Sequence, residues 1–137
     1  IYAPISGEVV SIQKNEKQTQ VTIKPKWYHL ASICFPSRGE IISLGFEKFE
    51  AKIHEYSERL NLVIKCPNMK LELLMPTTFY VKNDLLIRQG DVGEAGAIFS
   101  YLPFNGILDV VLPAGVNINI DTGDNVVMGR TALTSLE

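Results

Sequence analysis

The side chains able to act as nucleophiles, bases or metal ligands are few in this sequence, and they are scattered. Cys34 and Cys66 are its two thiols, and His29 and His54 its two imidazoles. Neither cysteine belongs to a Cys-x-x-Cys pair, and the four residues share no metal-ligand spacing, so no zinc site is expected. Two cysteines are also too few for a disulfide framework, which points to reduced thiols in a cytoplasmic setting. His29 stands beside Trp27 and Tyr28, where an isolated imidazole is commonly a partly exposed structural group. Ser100, between Phe99 and Tyr101, reads as a strand residue facing solvent, and Lys70 as an exposed surface lysine. Trp27, Tyr28, Phe46 and Phe49 read first as core aromatics, with a lipid- or partner-binding patch as the alternative.

The elements that must position these residues are strands. At 137 residues the chain is expected to be a single domain spanning 1–137. A net charge of -2 argues against a protein that binds nucleic acid by neutralising phosphates. No stretch approaches the roughly 18 consecutive apolar residues of a membrane span. The chain starts at Ile1 rather than Met, which leaves room for upstream segments, a membrane tether among them, and Leu136-Glu137 resembles a cloning scar.

Short β-branched runs separated by Gly, Pro, Asn or Asp predict strands at Val9–Ile12, Gln20–Lys24, Leu30–Phe35, Glu40–Leu44, Asn61–Lys65, Lys70–Met75, Thr78–Val81, Leu85–Arg88, Ala97–Leu102, Ile107–Leu112, Val116–Ile120 and Asn125–Met128. Residues 116–120 alternate strictly, three branched side chains against two amides. Only Phe46–Glu58 departs, because Phe46, Phe49, Ile53 and Tyr56 follow helical spacing; a short amphipathic helix is expected there, against an extended segment laid across the sheet. Two repeats punctuate the strands. Pro-x-x-Gly occurs at Pro4–Gly7, Pro36–Gly39 and Pro103–Gly106, with each glycine expected to close a turn at positive φ. Gly-Asp turns occur at Gly90-Asp91, running to Gly96, and at Gly123-Asp124, running to Gly129. Together they resemble the half-units of a barrel-sandwich hybrid, the flattened architecture of lipoyl and biotinyl domains. The expected fold is therefore all-β with at most one short helix.

The stretch Gly90–Leu133 also resembles the end of a phosphatidylserine decarboxylase. Gly90-Asp91, Phe104-Asn105-Gly106, Asp109-Val110-Val111-Leu112-Pro113 and Ile120 through Gly129 follow that family's order and spacing. Upstream, Ala3 to Val10, Phe35 to Ile41 and Glu58-Arg59-Leu60-Asn61 resemble its earlier segments. The resemblance implies a serine that cleaves the chain and becomes a pyruvoyl group, the electron sink for decarboxylation. In this sequence the Gly-Ser pair falls on Asn105-Gly106, so the serine position holds a residue without Cβ or oxygen. The family's aspartate falls on Ser6, and its histidines fall on Ala31 and Cys34. A small shift would bring His29 to the histidine's place, and Ser100 is the fallback for the serine.

The resemblance thus implies a non-catalytic relative with no cofactor, a pyruvoyl group arising only if a displaced serine is processed. Its partner would be a phospholipid headgroup or another protein, with homo-oligomerisation implied by dimeric family members and a cytoplasmic or membrane-peripheral location. A lyase using Ser100 or Cys34 is the enzymatic alternative. A third reading rests on Asn68-Met69-Lys70, which resembles the attachment segment of biotinyl carriers and would make Lys70 a cofactor site.

Overall fold

The computed structural model describes residues 1–25, 31–52, 55–76, 87–102 and 107–135. Among these there is no helix. Ten strands form: β1 (Gly7–Lys14), β2 (Gln18–Lys24), β3 (Ala31–Cys34), β4 (Gly39–Lys52), β5 (Glu55–Lys65), β6 (Lys70–Pro76), β7 (Val92–Gly93), β8 (Ile98–Leu102), β9 (Leu108–Pro113) and β10 (Asn125–Val126). Eight of them make one antiparallel sheet in the order β10-β1-β2-β9-β6-β5-β4-β7, while β3 and β8 pair separately.

The large sheet consists of two matching halves. β1 and β4 both read Gly-Glu followed by two aliphatic residues, serine and another aliphatic residue. Their partners match as well: Glu8 lies opposite Lys24 and Glu40 opposite Lys65, and each ladder carries a register shift at the same point, between Val9 and Ser11 and between Ile41 and Ser43. Each half is closed by one Gly-Asp turn. Gly123 donates to the Val9 carbonyl at 2.7 Å and Gly90 to the Ile41 carbonyl at 2.7 Å. The two halves join where β6 pairs with β9, at Leu73 and Val110. This is the all-β, barrel-sandwich-like arrangement that the repeats imply.

Alternation sets the core. Leu60, Leu62 and Ile64 on β5, Leu71 and Leu73 on β6, and Leu108, Val110 and Leu112 on β9 all point to one face and are buried. Each such side chain contributes about 1.5–3 kcal/mol relative to leaving it in water.

Several expectations are corrected. No helix forms over the described part of Phe46–Glu58; residues 46–52 and 55–58 continue the β4–β5 ladder, with Phe46 opposite Leu60 and Glu47 opposite Arg59. Phenylalanine and tyrosine suit strands, and pairing along the long hairpin overrides a spacing that was only locally helical. Phe46 is 41% exposed, so it is not a core aromatic. Residues 116–120 keep their alternation, with Ile120 buried and Asn117 and Asn119 exposed, yet they form a single bridge, Ile118 to Thr134, rather than a strand. Residues 87 and 88 are not in a strand, and Thr78–Val81 lies outside the described residues. The Gly-Asp glycines do adopt positive φ, at Gly90, Gly96, Gly123 and Gly129. Gly7 and Gly39 do not. They are required for close approach instead: a Cβ on Gly39 would lie 2.6 Å from Ile64 Cγ2 and 2.9 Å from the Lys65 carbonyl oxygen, and one on Gly7 would lie 2.8 Å from the Lys24 carbonyl carbon.

Candidate functional site

Three of the positions that match the family site, Ser6, Ala31 and Cys34, converge with the fallback Ser100 on the small β3–β8 sheet. Ala31 lies opposite Leu102, Ile33 opposite Ser100 and Cys34 opposite Ile98. Phe99 is therefore an extra residue on β8, and this bulge turns two consecutive side chains inward. Phe99 is 1% exposed and Ser100 2%, which corrects the expectation of a solvent-facing serine. Phe99 meets Phe35 edge to face at 5.2 Å between ring centroids, closing the core beneath the small sheet.

Ser6 joins this sheet through Met128. The Met128 backbone N–H donates to Ser6 Oγ at 2.8 Å, and Ser32 Oγ on β3 lies 3.5 Å from Met128 Sδ. Met128 and Ser32 are contacts that the sequence alone did not single out. The second Gly-Asp turn was the available signal, since it delivers Met128 to this place. The matching position in the other half is held by charge: Arg38, equivalent to Ser6, pairs with Glu94 at 3.4 Å. Both groups are well exposed, so that pair contributes little.

Cys34 is wholly buried, and its Sγ approaches the Ala3 carbonyl oxygen at 3.8 Å. Burial pushes its thiol up to about 11, against the smaller opposing effect of the Gly96 backbone. A thiol held in its neutral form is a poor nucleophile. The described part of the site thus offers a structural hydroxyl at Ser6, a protonated thiol at Cys34 and an enclosed hydroxyl at Ser100. Among the described residues no group of three or more His, Cys, Asp or Glu could hold a metal ion. His29, Asn105 and Gly106 lie outside the described residues, as do Trp27, Tyr28 and His54.

Lys70 belongs to the other sheet. It is exposed and opens β6 opposite Lys65, one residue beyond the turn that Cys66 and Met69 close with a 2.8 Å hydrogen bond. An open cavity of about 340 Å³ lies beside this turn, walled by Cys66, Pro67, Met69, Pro113, Val116 and Ser37. Its size falls at the lower end of small-ligand pockets, roughly 300–1,000 Å³.

Fold and site together define an all-β domain of barrel-sandwich type with a β3–β8 corner at the positions of interest. Comparison with known proteins places it among distant relatives of one enzyme group. The chain is 21% identical over 146 aligned positions to the phosphatidylserine decarboxylase proenzyme of Chlorobium limicola (strain DSM 245 / NBRC 103803 / 6330), covering 97% of this chain and 69% of that protein. It is 23% identical over 148 positions to the phosphatidylserine decarboxylase proenzyme of Chlorobium luteolum (strain DSM 273 / BCRC 81028 / 2530), with the same coverage. No family model matches the sequence, and no solved structure matches the fold. Among the described residues no helix is long and apolar enough to cross a membrane.

Proposed function

We propose that this chain is a non-catalytic relative of the phosphatidylserine decarboxylases that serves as a binding module for a phospholipid headgroup or a partner protein. One observation carries the proposal: Gly106 stands where the resemblance requires the processing serine. Formation of a pyruvoyl group needs an oxygen on Cβ to attack the preceding carbonyl, and glycine has neither atom. The state of the described groups at the other candidate positions supports the reading. Ser6 accepts a backbone hydrogen bond, Cys34 is buried and kept protonated, and Ser100 is enclosed beside Phe99.

Two assays on the purified chain test this together: carbon dioxide release from phosphatidylserine, and flotation with vesicles of defined headgroup. The proposal expects no turnover above buffer and headgroup-dependent flotation. Turnover that disappears in Ser100→Ala would instead establish the displaced-serine lyase. Absence of both turnover and flotation would remove the lipid arm and leave the partner-protein arm, to be tested by cross-linking.

A further inference from the structure

The turn between β5 and β6 carries two sulfur-bearing side chains on one face. Lys65 and Lys70 are the last paired residues of that ladder, and the Cys66 N–H donates to the Met69 carbonyl at 2.8 Å, so Cys66 and Met69 follow in register opposite each other. Residues directly opposite in an antiparallel pair share a face. Burial shows which one: Lys65 and Lys70 are exposed, whereas Cys66 is 6% exposed and Met69 packs against the core. The thiol and the thioether therefore project to the same side, and both residues wall the open cavity of about 340 Å³. Pro67, inside the turn, holds one backbone dihedral fixed and limits how far the pair can separate.

The rest of the cavity wall decides what two sulfur ligands could hold. It consists of hydroxyls such as Ser37 and Thr134, the Asn68 amide, and apolar groups such as Pro113 and Val116; among the described residues it contains no histidine and no carboxylate. Zinc takes four ligands drawn from thiolate, imidazole and carboxylate, and this wall cannot supply them. A thiolate with a thioether is a soft pair, the donor type that selects monovalent copper. Methionine has three rotatable bonds, so its sulfur can swing toward an ion held by the facing cysteine. Without metal the thiol is neutral, because burial raises it above its ordinary value against smaller opposing effects from the Ser37 side chain and the amino group of Ile1. The other thiol, Cys34, has no sulfur opposite it, since β8 places Ile98 there.

We infer that Cys66 and Met69 form a two-sulfur site for monovalent copper in the wall of this cavity. Binding is an exchange without redox chemistry. Cys66 Sγ releases its proton to solvent and forms the sulfur–copper bond, Met69 Sδ donates a lone pair as the second ligand, and the metal stays Cu(I) throughout. The open side of the cavity is the entry path. The site stands independently of the proposed headgroup or partner binding, which involves neither residue.

The test is an anaerobic titration of the reduced protein with Cu(I) against a coloured Cu(I) chelator, followed by X-ray absorption at the copper edge of the loaded protein. We expect one copper per chain with two sulfur neighbours. Cys66→Ala should abolish binding, and Cys34→Ala should leave it unchanged. Met69→Leu nearly keeps the side-chain volume and removes the sulfur; it should weaken binding at least about tenfold, the lower limit for losing even an outer partner of a metal ligand. Circular dichroism shows which variants fold, and Met69→Leu decides the matter if Cys66→Ala does not. Copper that survives in folded Cys66→Ala, unchanged affinity in Met69→Leu, loss of binding in folded Cys34→Ala, or no uptake against the chelator would overturn the inference. Tighter binding of Zn(II) than of Cu(I) would overturn it as well.

Discussion

Gly39 and Gly45 occupy the same strand, and the same substitution in each should change stability in opposite directions. At Gly39 a methyl group would sit 2.6 Å from Ile64 Cγ2 and 2.9 Å from the Lys65 carbonyl oxygen. The side chain could yield, but the carbonyl belongs to the paired strand β5 and cannot move without disturbing the ladder. Overpacking of this kind costs about 1–3 kcal/mol. Because φ at Gly39 is not positive, alanine also removes freedom from the unfolded chain, which offsets about 0.4–1 kcal/mol. The net expectation for Gly39→Ala is a loss of about 1–2 kcal/mol, or roughly 3–8 °C in Tm for a domain of this size. At Gly45 the added methyl touches nothing, so only the favourable contribution remains, and Gly45→Ala should gain about 0.5–1 kcal/mol. Urea unfolding followed by far-ultraviolet circular dichroism measures both. Equal destabilisation by the two substitutions would refute the packing argument.

Further outcomes follow from single groups. The Cys34 thiol is raised from its ordinary 9.0 to about 11, so the unfolded chain loses that proton first as the pH rises. Stability contributed by the neutral buried thiol should therefore be complete below pH 9 and fall between pH 9 and about 11, and Cys34→Ala should flatten that part of a pH titration of unfolding. Thr22→Val removes the 2.6 Å hydrogen bond to Asp109 on a half-buried face and should cost about 1–2 kcal/mol in the same unfolding assay. Lys70 lies beyond the β5–β6 turn rather than at its tip; chain produced in cells with ample ligase should show no biotinyl or lipoyl mass increment, and Lys70→Arg should shift the mass only by the substitution itself.

Much of the architecture is legible in the sequence because turn chemistry and two-residue alternation are local. Gly90, Gly96, Gly123 and Gly129 announce positive φ, and the alternation of residues 116–120 correctly separates Ile120 from its exposed neighbours. What local pattern does not carry is pairing. The spacing of Phe46, Phe49 and Tyr56 fits a helix as long as the partner strand is ignored, and Glu55–Lys65 decides the outcome by lying alongside it. The burial of Ser100 follows from one unpaired residue at Phe99, which no periodicity reveals. Gly7 and Gly39 look like turn residues, yet neighbouring backbone, not φ, forbids a side chain there. The match between the two Gly-Glu strands was present in the sequence as a stronger repeat than the prolines before them. The convergence of Ser6, Cys34 and Ser100 was legible only through the family resemblance, because distant segments bring them together: Ser6 meets Met128, which lies against Ser32, while Ser100 and Cys34 are placed by the pairing of β3 with β8.

The central claim is that no self-cleavage occurs at Asn105-Gly106. The most direct measurement is the intact mass of the protein recovered from cells under denaturing conditions. A single uncut polypeptide is the predicted result. Two fragments, the second beginning with a keto-acyl group in place of an amine, would contradict the account.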